Sequence, residues 1–473
     1  MKLQQHVLKI RKMIHTAFQN RFEKLGLYEN SQKSLSEITS FLQEKRKELD
    51  VILENHLIEQ NGDYVKARFE AIDECTFTLF NRIAAIKVME SRELFPEIIR
   101  QRTEYANRSF AHNAWLEEHP EERNAEREGL KAFLRDEFDK LASDVYIFSS
   151  EYPYALFPTA DELFLVIQAF NEVEEDPDCG SDTWSNEDIL GWLYESYNAI
   201  EKEQLKASGE KTEFDKVSLQ SQVYTPKWVV KFLVDNSLGK QYLEMYPQSE
   251  LRSKYKIANA PVTQIRRPMK VEEIKLIDPA CGSGNFLLYA FDLFYDMYTD
   301  QLENYNAGYS HRDIPRLIIE NNLHGVDLDE RAVQIAQIGL YIKARTHRSR
   351  SINHFNVVAS HFVLPEYKEV SHTFEAGNHF DEQQKRTMAS IWEDLRNAYK
   401  FGSLIRVEEK LDAMMPRNTL DLFSQSDMQN AFDFRNSFIT NLRNQVENLT
   451  GERNNRFTRF KTNNAITFLD VIS

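Results

Sequence analysis

The segment LIDPACGSGNFLLYA, residues 276–290, combines an acid, two closely spaced glycines and an apolar run. Its lead-in EIKLID (273–278) is typical of a strand, and the residues after Gly284 are typical of a helix. A strand, a sharp glycine turn and a helix bring the carboxyl end of the strand and the helix N-terminus to one crevice. Because glycine lets a ligand approach the backbone, this turn is a candidate binding site.

Two ligand classes use this geometry, dinucleotides and S-adenosylmethionine (SAM). A dinucleotide site requires G-x-G-x-x-G and an acid about 20 residues later. Here Leu287 replaces the third glycine, and the next strand-end acid, Asp327, lies 43 residues after Gly284. SAM instead carries a cationic sulfonium and amino group, which suit an acid such as Asp278. Its two ribose hydroxyls need an acceptor such as Asp327, so the sequence favours SAM.

The elements that follow the turn alternate between helix and strand. Strands are predicted at EIKLID (273–278), LHGVDLD (323–329) and FNVVAS (355–360), and helices at about 285–303 and 330–346. This β-α-β-α-β order predicts a parallel sheet with right-handed crossovers.

A further helix is predicted upstream of the turn, in QVYTPKWVVKFLVDNSLG. Thr225 is the expected N-cap, Pro226 the first helical residue, and Gly239 the residue just past the end.

Three segments resemble motifs of the SAM-dependent DNA adenine-N6 methyltransferases. DPACGSGNFL (278–287) looks like motif I, QVYTP (222–226) like motif X and GVDLD (325–329) like motif II. The order X, I, II is that of the gamma-type enzymes. Together with the helical N-terminus and GWLYESYNAIEKE (191–203), the chain is similar over most of 1–360 to the large PglX methyltransferases of BREX phage-defence systems. These also resemble the type IIG restriction-methyltransferases.

The resemblance implies that SAM is the cofactor and assigns a role to several positions. Asp278 and the two glycines would hold the methionine part, motif X would pack on it, Asp327 would hold the ribose and Leu328 would flank the adenine. The implied cofactor-binding residues are Tyr224, Thr225, Pro226, Asp278, Ala280, Gly282, Gly284, Asn285, Phe286, Asp327 and Leu328.

The family's catalytic motif, (Asn/Asp/Ser)-Pro-Pro-(Tyr/Phe/Trp), accepts the hydrogens of the adenine amine and stacks on the flipped base. None of the 13 prolines of this chain is adjacent to another. We therefore assign no catalytic residue and expect the chain to be the cofactor-binding portion of a longer or split enzyme, inactive alone. A C-terminal portion or second chain would supply the motif and the recognition of double-stranded DNA, and other defence-system proteins are possible partners.

The predicted fold class is α/β, with a helical N-terminal domain, a partial Rossmann-like methyltransferase sheet and a helical insertion. Helical patterns cover 1–26, 34–60, 64–118 and 125–143, and the last nine residues, AITFLDVIS, are predicted to form one more strand. The predicted divisions are a helical domain (1–150), a connecting region with a helix and the polar linker 207–221 (151–221), the SAM-binding region (222–365) and a helical insertion leading to a truncated end (366–473).

Composition excludes some classes of protein. A net charge of -16 argues against a nonspecific DNA clamp, although a local basic face would suffice for a DNA substrate. No window is apolar enough to span a membrane. The three cysteines lie far apart and form no CxxC pair, so neither a metal site nor a disulfide framework is expected, and a cytoplasmic location fits.

Other functions remain open from the residues alone. In a SAM-binding scaffold without catalysis, the basic face of 1–26 and the acidic run 171–188 would contact partner subunits. Methylation of protein or RNA is a further alternative. The nuclease of type IIG enzymes is not predicted, because no lysine from Lys2 to Lys216 has an acid two residues before it.

Overall fold

A computed structural model describes residues 2–208, 225–360, 366–368, 371, 382–397, 440, 444 and 456–472. These ranges are mostly helical and contain one small parallel sheet. The helices are α1 (Leu3–Lys24), α2 (Ser40–Glu59), α3 (Tyr64–Ser91), α4 (Phe110–Glu118), α5 (Leu130–Leu141), α6 (Ala160–Glu175), α7 (Ile189–Tyr197), α8 (Ala199–Ser208), α9 (Lys227–Val234), α10 (Lys240–Met245), α11 (Leu251–Lys254), α12 (Asn285–Asn304), α13 (Ile314–Leu317), α14 (Glu330–Thr346), α15 (Glu382–Arg396) and α16 (Arg456–Ile472). The strands are β1 (Leu276–Asp278), β2 (Leu323–Asp327) and β3 (Asn356–Ala359).

The sheet has the strand order β1-β2-β3, and both pairs are parallel. This confirms the predicted alternation of strands and helices. Within the described ranges β1 pairs on one side only, and the side chain of Ile277 in its middle is 49% exposed. The strand is shorter than predicted: Val271–Glu273 forms a 3-10 turn, and the strand begins only at Leu276.

The helix predicted over 64–118 is interrupted, since the chain leaves helical geometry between α3 and α4. Pro96 has no N–H for a helical ladder. The backbone N–H groups of Ile98 and Arg100 donate instead to the carboxylate of Glu90, at 2.5 and 3.2 Å. A side-chain acceptor thus replaces the helical carbonyls, and the apolar pattern of the sequence did not reveal it.

The strand predicted at AITFLDVIS is wrong, because this segment lies in the helix α16. The helix buries Phe457, Phe460, Ala465 and Phe468 and packs on β3 and β2. A short run rich in Ile, Phe and Val does not distinguish a strand from a buried helix. The linker predicted at 207–221 lies almost entirely outside the described residues, as does most of the insertion predicted at 366–473.

The basic segment 1–26 and the acidic run 171–188 contact each other. His6 on α1 hydrogen-bonds Asp176 at the end of α6, at 2.9 Å, and Lys9 pairs with Glu172. The scaffold hypothesis assigned both segments to partner subunits, but these residues are engaged within the chain. None of the described helices is long and apolar enough to cross a membrane.

The N-terminal helices and the sheet region share one apolar core, and they are also joined by a charge network. Arg331, in the first turn of α14, contacts Asp73 at 2.7 Å and Glu74 at 2.8 Å, both on α3. Burial would raise the pKa of Asp73, but the charges of Arg331 and Arg11 outweigh it and hold that pKa below its ordinary value. This network fixes the start of α14 against the N-terminal helices.

A second cation, Lys461, which is 14% exposed, joins α16 to the same region. Lys461 lies 3.2 Å from Glu330 on α14 and 3.6 Å from Glu59 on α2. Burial would lower the pKa of Lys461, but the two acids raise it, so the ammonium keeps its charge. Three helices that are distant in sequence therefore meet at one ionic cluster.

The turn after β1 depends on two glycines for different reasons. Gly282 has φ +52°, and a Cβ there would have no neighbour within 4 Å. Gly284 has φ +85°, and a Cβ there would lie 2.9 Å from the Cβ of Ala336 on α14. Gly284 therefore permits both the left-handed backbone and the close packing of α12 on α14.

We predict that Arg331→Ala lowers the free energy of unfolding by up to about 3–5 kcal/mol, because it removes the cation shared by the buried Asp73 and the partly buried Glu74. Arg11, 3.4 Å from Asp73, compensates only part of that loss. The matched control is Arg350→Ala, whose guanidinium is 61% exposed and lies 3.1 Å from Asp313; this change should cost less than about 1 kcal/mol. Urea unfolding measures both. Equal losses of unfolding free energy in the two variants would show that the Arg331 network does not hold α14 against the N-terminal helices.

We also predict that Gly284→Ala destabilises the protein more than Gly282→Ala. Both changes place a Cβ in left-handed backbone, at a cost of about 1–2 kcal/mol. Only the first also forces atoms into Ala336, which adds about 1–3 kcal/mol. Thermal and urea unfolding of the pair isolate the packing contribution, and indistinguishable curves would contradict it.

Candidate functional site

The predicted site residues of motif I lie at the carboxyl end of β1. Asp278 ends the strand, and its carboxylate accepts the backbone N–H of Ala280 at 3.2 Å. The N–H of Cys281 donates to the carbonyl of Val326 on β2 at 3.0 Å, and that of Gly284 donates to the carbonyl of Cys281 at 2.8 Å. The turn is therefore tied to the neighbouring strand as well as to itself.

Asp327, the predicted ribose ligand, lies at the carboxyl end of β2 and reaches this turn. One oxygen of its carboxylate accepts the N–H of Gly282 at 2.8 Å, and the other accepts the N–H of Asp329 at 2.9 Å. Parallel pairing of β1 with β2 brings both strand ends to the same edge. The structure thus brings Asp278, Gly282 and Asp327 together at one edge of the sheet.

Burial affects the charge of both acids. It raises the pKa of Asp278, although the N–H of Ala280 acts in the opposite direction. Burial likewise raises the pKa of Asp327, and the charges of Asp329 and Asp278 add to the rise, whereas the two backbone donors oppose it. The site therefore concentrates negative charge in a partly desolvated crevice, which suits a ligand that brings positive charge and hydroxyl donors.

A hydrogen bond joins the described part of motif X to the turn. The side-chain amide of Asn285 donates to the backbone carbonyl of Thr225 at 2.8 Å. Asn285 therefore joins two motifs that are 60 residues apart in the sequence. Tyr224, the third predicted residue of motif X, lies outside the described residues.

Two details of the predicted motif X helix are wrong. Pro226, and not Thr225, is the N-cap of α9. Gly239 does not end the helix, because a π-helical turn, Asp235–Gly239, continues into α10. A Cβ at Gly239 would lie 3.2 Å from Ile257, so the glycine serves close packing.

The remaining predicted positions differ in exposure. Ala280 is exposed. Phe286, the second residue of α12, and Leu328, directly after Asp327, are half-buried. Cys281 is buried, and burial raises the pKa of its thiol well above the ordinary value. A neutral, enclosed thiol is not a nucleophile, so Cys281 acts here as a small residue of the turn.

Three residues near the acids were not predicted as site residues. Asp329 is the N-cap of α14, and its side chain accepts the N–H of Arg331 at 2.9 Å. Tyr194 on α7 donates its hydroxyl to Asp329. Ser360, fully buried after β3, donates its N–H to the carbonyl of Asp327 at 2.9 Å. Asp329 lies in GVDLD and Tyr194 in GWLYESYNAIEKE, two segments that the motifs had singled out. The sequence alone could not show that these two side chains contact each other.

A cleft of about 340 Å³ lies beside the turn and is lined by α12, α14, the first turn of α9 and the start of α7. Ser283 and Asn285 line it, but Asp278 and Asp327 do not. We place the candidate site at the two acids, because they form the strand-end crevice in which α/β sheets bind ligands. In the described part of the chain, no group of His, Cys, Asp and Glu could hold a metal ion.

The sequence of this chain is similar to those of known methyltransferases. Residues 254–399 match the DNA-methyltransferase domain of MmeI. The chain is 29% identical over 301 residues to the adenine-specific methyltransferase BrxX of Escherichia coli O9:H4 (strain HS), covering 58% of this chain and 24% of that protein. It is 28% identical over 349 residues to the adenine-specific methyltransferase PglX of Lacticaseibacillus casei (strain Zhang), covering 65% of this chain and 28% of that protein.

A more distant similarity, 24% over 183 residues, relates 33% of the chain to 14% of a putative type II restriction enzyme and methyltransferase of Methanocaldococcus jannaschii. The chain thus spans about a quarter of the length of the adenine-specific relatives it matches. The matches confirm the resemblance seen in the motifs: this chain is similar to the BREX PglX-like adenine-specific methyltransferases.

Proposed function

We propose that this chain forms the SAM-binding part of a site-specific DNA methyltransferase that acts on the N6 amine of adenine in a BREX or restriction-modification system. One observation carries the proposal. The carboxylate of Asp327 is fixed by two backbone N–H groups beside the open face of Gly282, at the edge of the sheet where Asp278 also lies.

The residues present fit SAM. Each oxygen of the Asp327 carboxylate accepts one N–H and retains a second lone pair. Two ribose hydroxyls therefore find an acceptor there. The absence of any atom within 4 Å of a Cβ built on Gly282 leaves space for a ligand to approach the turn.

Each residue then has a stated role in holding the cofactor. Asp278 offsets the positive charge of the methionine end, and Gly282 and Gly284 shape the turn around it. Thr225 and Pro226, together with Tyr224, pack on the methionine part. Ala280, Asn285 and Phe286 complete this wall, while Asp327 binds the ribose and Leu328 flanks the adenine. Bound SAM supplies an activated methyl group.

The acceptor in this proposal is a flipped adenine of double-stranded DNA. Its exocyclic amine is a poor nucleophile because the lone pair is delocalised into the ring. Acceptors for the amine hydrogens are therefore required. The Pro-Pro motif that provides them in the family is not in these 473 residues. We propose that a further segment or second chain supplies it, with target recognition and contacts to other defence proteins.

The alternative is a SAM-binding scaffold of a defence complex that performs no catalysis. Two of the surfaces that this alternative would use are engaged internally, through His6 with Asp176 and Lys9 with Glu172. These contacts favour the enzyme, and the transfer experiment described below separates the two hypotheses.

We predict that the chain binds SAM and that Asp327→Ala weakens binding about tenfold to a hundredfold, because ribose donors lose a charged acceptor. Glu303→Ala removes an equal charge at an exposed position of α12 and should leave the Kd unchanged. Calorimetric titration measures binding, and a melting curve checks that each variant is folded. A folded chain that does not bind SAM would contradict the proposal.

The same titration should depend on pH. Because burial raises the pKa of Asp278 and Asp327 above the ordinary 3.8, protonation on acidification begins at a higher pH than for an exposed aspartate. The neutral forms lose charge and acceptor strength. We therefore expect SAM affinity to fall with decreasing pH from a point above pH 3.8, and Asp327→Asn to show a weaker dependence than the parent.

We predict that the chain alone transfers no labelled methyl group from SAM to DNA. Transfer should appear when a second polypeptide supplies the Asn-Pro-Pro-Tyr motif and recognition domain of a PglX-like relative, and Asp278→Ala should abolish it. Incorporation of labelled methyl into DNA by the chain alone would contradict the prediction that it is inactive by itself. A complex that assembles regardless of SAM and never transfers methyl would favour the scaffold.

A further inference from the structure

Tyr194 lies on α7, more than 80 residues before the glycine turn, yet its side chain reaches the candidate site. It is 6% exposed, and its hydroxyl donates to the carboxylate of Asp329. Burial and the negative charge of Asp329 raise the pKa of Tyr194 well above its ordinary value. The hydroxyl therefore keeps its proton and acts as the donor.

Asp329 transmits this contact to the cofactor-binding acid. Its backbone N–H donates to the carboxylate of Asp327 at 2.9 Å, and its own side chain accepts the N–H of Arg331 at 2.9 Å. The other oxygen of Asp327 accepts the N–H of Gly282 at 2.8 Å. A continuous series of hydrogen bonds thus runs from the hydroxyl of Tyr194 through Asp329 and Asp327 to the glycine turn.

The helix α7, which carries Tyr194, packs against α1 and α3. One turn further along α7, the ring of Tyr197 lies edge-on to Phe77 of α3, with centroids 4.8 Å apart. The guanidinium of Arg11 covers the same ring at 4.4 Å and donates to the carbonyl of Tyr197 at 2.7 Å. Packing against α1 and α3 therefore sets where the hydroxyl of Tyr194 lies.

We propose that Tyr194 is a positioning residue of the cofactor site, through which the N-terminal helices set the orientation of the Asp327 carboxylate. The inference rests on the proposed function, since it concerns SAM affinity. It assigns the N-terminal helices a part in cofactor binding that the motifs alone do not give them. Because coupling between sites is reciprocal, bound SAM also stabilises the docking of α7.

The test compares Tyr194→Phe with Tyr197→Phe in the complete 473-residue chain. Both changes remove one buried hydroxyl from α7 and keep the ring, but the hydroxyl of Tyr197 makes no hydrogen bond with the described residues. We expect the Kd for SAM to rise roughly fivefold in Tyr194→Phe, the size of an ordinary hydrogen bond. This is less than for Asp327→Ala, because Tyr194 reaches the cofactor only through Asp329 and Asp327. It should stay within about twofold in the Tyr197→Phe control.

A double-mutant cycle separates positioning from a general structural role. If Tyr194 acts through Asp329, Tyr194→Phe should weaken SAM binding no further in an Asp329→Ala background. Melting temperatures without SAM report any effect on the fold alone. A lower melting temperature with an unchanged Kd, or additive effects on the Kd, would overturn the inference while SAM binding by the parent upholds the proposed function. A folded parent that binds no SAM would overturn both.

Discussion

The arrangement of the site depends on the ion pairs that the guanidinium of Arg331 forms with Asp73 and Glu74. Removing one member of a buried ion pair leaves an uncompensated charge, so such a pair tolerates little displacement. Arg331 is also two residues beyond Asp329, the N-cap whose N–H reaches Asp327. The position of the second strand end is thereby linked to α3.

Around this link, the site is assembled from segments that are distant in sequence. The strand ends contribute Asp278 and Asp327, the turn contributes open backbone, and Asn285 brings in motif X through the carbonyl of Thr225. Each contact fixes a backbone group or carboxylate rather than an apolar side chain. Held this way, the polar groups that face the crevice need little rearrangement when a ligand arrives.

Much of this could be predicted from sequence, because local signals determine it. The alternation of strand and helix patterns predicted the three parallel strands, and parallel pairing of the first two brings the strand ends at Asp278 and Asp327 to one edge. The interruption after α3 and the helical ending were missed, since the carboxylate of Glu90 and the buried face of α16 act through tertiary contacts. The pairing of Tyr194 with Asp329 was equally out of reach, because no local pattern joins residues 135 positions apart.

The length of these connections has a consequence for biosynthesis. The contact of Arg331 with Glu74 spans 257 positions and that of Lys461 with Glu330 another 131. A chain that emerges from the ribosome at about 5–20 residues per second therefore exposes Glu74 of α3 for many seconds before Arg331 is made. Contacts of such high sequence separation also slow folding. The N-terminal helices must therefore stay soluble while Glu74 lacks this partner, and the candidate site cannot form until β2 and α14 have been synthesised.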